Sequence, residues 1–261
     1  MSLYLETFIN EENKRESFYE WAHRRTSEPM YMPRSKSDEA PQYGIASLFD
    51  ELSGDEVGEL IYTFAPRKDK TDDLSIIDEY LLLSGGEEVY LDLVGEPVPL
   101  TQGAQKSKGN RFLADSEYYN RILFETANGF ALEQGIGRDC GITAQMCVFP
   151  LSVANQAETA NPMEEVEFLL FGGGGFTAPV METGRIFYTV LEGKVGSLRK
   201  VSIETGCERL DFYHALIDTG FGLVPLALSE ETVRDKSIKE NSRLMVDGCI
   251  VAKILEVHKG E

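Results

Sequence analysis

Two periods run through the apolar residues of this chain, one near 3.6 and one near 2, and together they predict an α+β fold. Between Glu11 and Thr26 the spacing of Phe18, Trp21, Ala22 and Arg25 predicts an amphipathic helix, with acids early and arginines late to suit its dipole. The stretch from Ser27 to Tyr43 holds three prolines and reads as a long loop. Ile45, Leu48, Phe49 and Leu52 then recur at i, i+3, i+4 and i+7, which predicts a second helix stopped by Ser53-Gly54. A strand is expected over Val57 to Ala65. Thr71 supplies an N-cap for a third helix carrying Leu74, Ile77 and Leu81, and Gly85-Gly86 stops it. Val89, Leu91 and Leu93 alternate with Tyr90, Asp92 and Val94, the period of a strand.

Thr101 to Asn110 is polar, glycine-containing and basic, and marks a boundary between an α+β part over residues 1–105 and a strand-rich part over 106–261, unless the whole is one compact domain. In the second part Tyr118 to Thr126 reads as a helix stopped by Gly129, although Asn128-Gly129 is also a hairpin signal. Strands are expected at Ile142 to Phe149, Val166 to Phe171, Ile186 to Leu191 and Leu198 to Ile203. Leu210 to Ile217 and Ser229 to Lys236 read as short helices, and Asp247-Gly248 as the turn of a closing hairpin. The expected architecture is a mostly antiparallel sheet with several short helices, helix-richer in its N-terminal part. One echo, Glu87 to Gly95 against Glu164 to Gly172, recurs after 77 residues and raises the question of a duplicated unit.

Composition narrows the class. The chain has 44 acidic against 25 basic residues, a formal charge of −19, which disfavours a phosphate backbone as partner and favours a basic protein. No stretch approaches the roughly 20 apolar residues that span a bilayer, and the N-terminus lacks the order of a secretion signal, so a cytoplasmic, membrane-free protein is expected. Cys140, Cys147, Cys207 and Cys249 form no CxxC pair, and three histidines spread along the chain form no zinc motif, so neither a metal nor another cofactor is expected.

Candidate chemistry lies in two glycine-rich segments. Gly172, Gly173, Gly174 and Gly175 follow the apolar run ending at Phe171, as in a phosphate-binding loop, but no Lys-Ser or Lys-Thr pair and no helix pattern follows them. They remain candidates for a ligand-binding loop or a tight bend. In Gly135 to Gly141, Arg138 is placed to favour a thiolate at Cys140, and His214 is the best available base for such a nucleophile. No activity follows from sequence alone. The leading expectation is a non-enzymatic binding or regulatory module for a basic protein partner. The alternative is a small-molecule-binding protein or enzyme whose pocket is lined by Gly172–Gly175 and Gly135–Gly141.

Overall fold

Ala46 and Leu48 are buried while their neighbours Ile45, Ser47 and Phe49 are less so, and this period of 2 makes Gln42–Phe49 a strand, not the helix its i, i+3, i+4 spacing predicts. The computed structural model describes residues 30–31, 42–67, 70–94, 111–115, 122–126, 140–156, 175–177, 189–204, 209–219 and 222–258. Four strands, β1 (Met30–Tyr31), β2 (Gln42–Phe49), β3 (Glu56–Arg67) and β4 (Lys70–Leu83), form an antiparallel sheet in chain order. β3 agrees with expectation, whereas β4 replaces the predicted third helix. It pairs with β3 from Gly58↔Leu83 to Arg67↔Lys70, and Tyr80, Leu81, Leu82 and Leu83 are buried in succession, as in a strand covered on both faces.

The remaining strands are β5 (Glu88–Leu93), β6 (Arg111–Asp115), β7 (Ile122–Thr126), β8 (Gly141–Asn155), β9 (Gly175–Thr177), β10 (Thr189–Glu204), β11 (Arg209–Asp218), β12 (Leu223–Leu228) and β13 (Arg243–His258). They join into one nine-stranded sheet that closes on itself twice. β8, β5, β6, β7 and β13 make a first ring, and β13, β10, β11, β12 and β8 make a second, with the long β8–β13 ladder common to both. Every pairing is antiparallel except β7 with β13 and β12 with β8.

The two rings repeat one register after 102 residues. Val89↔Ala144 recurs as Leu191↔Val246, Leu91↔Ile142 as Gly193↔Leu244, and Phe124↔Ile250 as Leu226↔Val148. β11 runs one residue further, so that Ala114↔Ile122 recurs as Ile217↔Val224. This repeat pairs β5 with β10. The 77-residue echo is a different correspondence, and its second member, Glu164 to Gly172, lies outside the described residues.

One apolar cluster fills both rings, with Ile142, Ala144, Val148, Leu244, Val246 and Ile250 on the inner face of the shared ladder. The outer face of that ladder carries Cys147, Phe149 and Val251, which pack with Val201, Ile203 and Phe212 against Leu48, Leu60 and Leu81 of the four-stranded sheet. Full burial of each leucine or phenylalanine contributes roughly 1.5–3 kcal/mol, so this second cluster seats the small sheet firmly on the second ring. Polar contacts fix its edges. Buried Asp50 accepts hydrogen bonds from the Ser202 and Leu52 N–H groups and the Ser53 hydroxyl, and Lys253 Nζ meets Glu59 Oε2 at 2.6 Å.

Three further helix or turn expectations fall to the same ladders. Ile122–Thr126 is a strand because it pairs with β6 and β13 and turns Ile122 and Phe124 into the ring core, and Arg209–Asp218 is one because Ala215 and Ile217 face the ring interior while Leu210 and Phe212 face the outer layer. Asp247-Gly248 is not a hairpin turn; β13 continues through it with a shift of register against β8, and Gly248 serves close approach, since a Cβ there would come within 2.5 Å of the Phe149 carbonyl oxygen. Among the described residues α1 (Glu230–Asp235) is the only α-helix, capped as expected by Ser229, which accepts from the Thr232 N–H. The described chain is therefore mostly strand, with one short helix, which corrects the α+β expectation and its helix-richer N-terminal part. The helix expected over Glu11 to Thr26, the strand at Val166 to Phe171 and the Thr101–Asn110 segment lie outside the described residues.

Candidate functional site

Cys140 and His214 are both buried and are held apart. Cys140 sits in the ring core just before β8, its carbonyl accepting the Leu93 N–H at 3.0 Å. His214 lies on the outer face of β11, opposite Ala227 of β12, whose neighbour Leu226 pairs with Val148. Cys140 precedes Val148 by eight positions, roughly 26 Å of extended strand. The His214 Nε2 lies 2.9 Å from the Ser84 carbonyl oxygen, which can only accept, so Nε2 carries the proton and ties β11 to the end of β4. Burial holds the His214 pKa below its ordinary value, which favours the neutral ring in this tie. The other buried thiol, Cys147, is pushed up to about 12 by burial. Gly175 opens β9 and pairs with Leu191; Arg138, Gly135 to Gly137 and Gly172 to Gly174 lie outside the described residues.

A different set of residues converges on the outer face of the first ring. Strand alternation places Glu88, Tyr90 and Asp92 of β5 outward, and the registers carry them across β8 to β13 in three rows: Asp92, Gly141 and His258; Tyr90, Thr143 and Glu256; Glu88, Gln145 and Lys253. Tyr90 stands near the middle of β5 and is 52% exposed. Its phenol end lies over Gly141, and its ring centroid is 5.5 Å from that of His258, tilted by 42°. The Asp92 carboxylate accepts from the Tyr90 hydroxyl, and this bond holds the phenol pKa above its ordinary value. Thr143 Oγ1 is 2.8 Å from His258 Nε2, and Glu256 Oε2 is 3.7 Å from the same nitrogen. Between Ile254 and Glu256 the ladder shifts by one residue, which turns Leu255 out to 41% exposure beside the rows. Lys253 is engaged by Glu59, so the acids Glu88, Asp92 and Glu256 set the sign of the face.

The repeat supplies an internal comparison. At the corresponding positions of the second ring stand Lys194 for Asp92, Arg243 for Gly141, Glu192 for Tyr90, Met245 for Thr143 and Asp247 for Gln145. Neither the aromatic ring nor the acidic row is demanded by the topology, since the same ladders form without them. Burial raises the pKa of both Glu192 and Asp247, and Asp247 Oδ1 is hidden with no hydrogen-bond partner among the described residues.

Other features offer less. A cleft of about 380 Å³ between α1 and the bulged part of β8 is lined by Leu151, Ser152, Glu231, Thr232 and Asp235. Among the described residues no cluster of three His, Cys, Asp or Glu side chains is placed to hold a metal ion, and no helix is long and apolar enough to cross a membrane. No known family model, curated protein or solved structure matches the chain. The alternation in the sequence sets Tyr90 and Asp92 opposite Val89, Leu91 and Leu93 on a strand but does not mark them as a site. Their neighbours Thr143, Glu256 and His258 are distant in the chain and meet them only through the β8–β13 register.

Proposed function

We propose that this is a non-enzymatic binding protein that recognises a basic protein partner through the outer face of its first ring. The observation that carries this reading is the exposed Tyr90 ring set among Glu88, Asp92 and Glu256. A cationic side chain placed there meets both the electron-rich face of the ring and nearby carboxylates. Tyrosine also suits a binding anchor because it offers a large rigid surface at little entropic cost. The formal charge of −19 adds long-range steering of a basic partner. The second ring, with its own Lys194 and Arg243 at the matching positions, is the poorer match for such a partner.

A labelled arginine-rich peptide titrated at 50 and 200 mM salt, with anisotropy as readout, tests this function. The chain is expected to bind in a salt-sensitive way, and Tyr90→Ala to weaken binding about tenfold, the loss typical of a modest anchor. Glu192→Gln, at the equivalent position of the second ring, is expected to leave it unchanged. Equal binding by the wild type and Tyr90→Ala would overturn the reading.

A further inference from the structure

Neither half of the double ring closes by itself. The first half is an open run β7–β6–β5–β8, and both of its outer edges, on β7 and on β8, are covered by β13. The second half is an open run β12–β11–β10–β13, and both of its outer edges are covered by β8. Each half thus gives its last strand to complete the other. An uncovered pair of strand edges presents rows of unmade backbone hydrogen bonds, so each half needs a partner of one shape.

The exchange is reciprocal down to single residues. Under the 102-residue repeat Val148 corresponds to Ile250, and these two are paired with each other, so the axis relating the halves passes between them. Cys147 and Cys249 correspond in the same way and flank that axis on its outer side. This is the geometry of an isologous dimer interface, in which one patch meets its own copy across a two-fold axis. A chance agreement of two unrelated halves would not keep one offset through the β5–β8, β7–β13 and β8–β13 ladders and their counterparts.

We infer that the double ring is two units of one four-stranded kind joined in a single chain, and that the partner each unit is shaped to bind is another such unit. The peptide joining the units, within residues 157–174, is then unnecessary for their assembly. β1 to β4 travel with the first unit and add an apolar contact to the second through Val201, Ile203 and Phe212.

The full chain carrying a protease site inserted within 157–174 tests the inference. After folding, the chain is cut, unfolded in urea and renatured, with native mass spectrometry and amide exchange as readouts. The expected result is a 1:1 complex of the two fragments in which β8 and β13 regain their protection. Either fragment refolding alone as a monomer with protected strands would overturn it. Exchange in the uncut wild-type chain gives a second, independent reading. β5–β8 and β10–β13 are expected to open together, and separate opening of the two halves would contradict the shared closure.

Discussion

The phenol end of Tyr90 lies over Gly141, where a Cβ would overlap the hydroxyl. Glycine at 141 therefore sets the pose of the tyrosine, and the atom in the way is the far end of a side chain that can swing. Gly141→Ala is expected to cost the fold no more than about 1 kcal/mol while displacing the ring. His258, whose ring centroid is 5.5 Å from that of Tyr90, reports the displacement. Loss of the ring-current shift on its C–H protons, with the thermal midpoint nearly kept, is the expected outcome.

Asp50 gathers the turn between β2 and β3 onto β10. Burial works to raise its pKa, but hydrogen bonds from the Ser202 N–H, the Ser53 hydroxyl and the Leu52 N–H together hold it below the ordinary value. Asp50→Ala leaves the buried Ser202 N–H without this acceptor, and a loss of about 2–3 kcal/mol is expected in urea denaturation. The stabilisation from Asp50 is present at neutral pH and fades only as pH falls through its depressed folded value.

His214 makes the opposite contribution at mildly acid pH. Because burial lowers its folded pKa, the unfolded chain takes up a proton below its ordinary value of 6.5 that the folded chain excludes. Stability should therefore fall as pH drops below 6.5, by at most about 1.4 kcal/mol per pH unit from this one group. Urea denaturation at pH 7 and pH 5.5 checks it, and His214→Gln is expected to flatten the difference.

Asp247 is a cost at neutral pH. Its carboxyl pKa is raised by burial, so its ionised form is disfavoured in the fold and the penalty is fully present above the folded value. Asp247→Asn is expected to stabilise the chain at pH 7 by about 1 kcal/mol, or roughly 2–4 °C in thermal midpoint. The gain should shrink as pH falls toward the ordinary carboxylate range, where the wild-type side chain becomes neutral.

What could be read in the sequence followed from how locally each signal is determined. β5, β3 and the Ser229 cap are decided by neighbours within a few residues, and all three were legible. Ile45 to Phe49, Leu74 to Leu81 and Leu210 to Ile217 carry apolar spacings that suit a helix, yet they are strands because ladders to distant residues override local preference. Asp247-Gly248 failed for a related reason: its glycine answers to the backbone of Phe149, about a hundred residues away. The separation of the candidate pair Cys140 and His214 could not be read from the sequence, because it is set by the pairing of β8 with β12. The Tyr90 face is likewise assembled by register and could not be seen from β5 alone.

The most direct measurement is chemical-shift mapping of an unlabelled arginine-rich peptide onto the isotope-labelled chain at low salt. The largest changes are expected at the amides of residues 88–92, 141–145 and 255–258, and are lost in Tyr90→Ala. Changes spread evenly over the acidic surface, or centred on residues 190–194 and 243–247 of the second ring, would contradict this expectation.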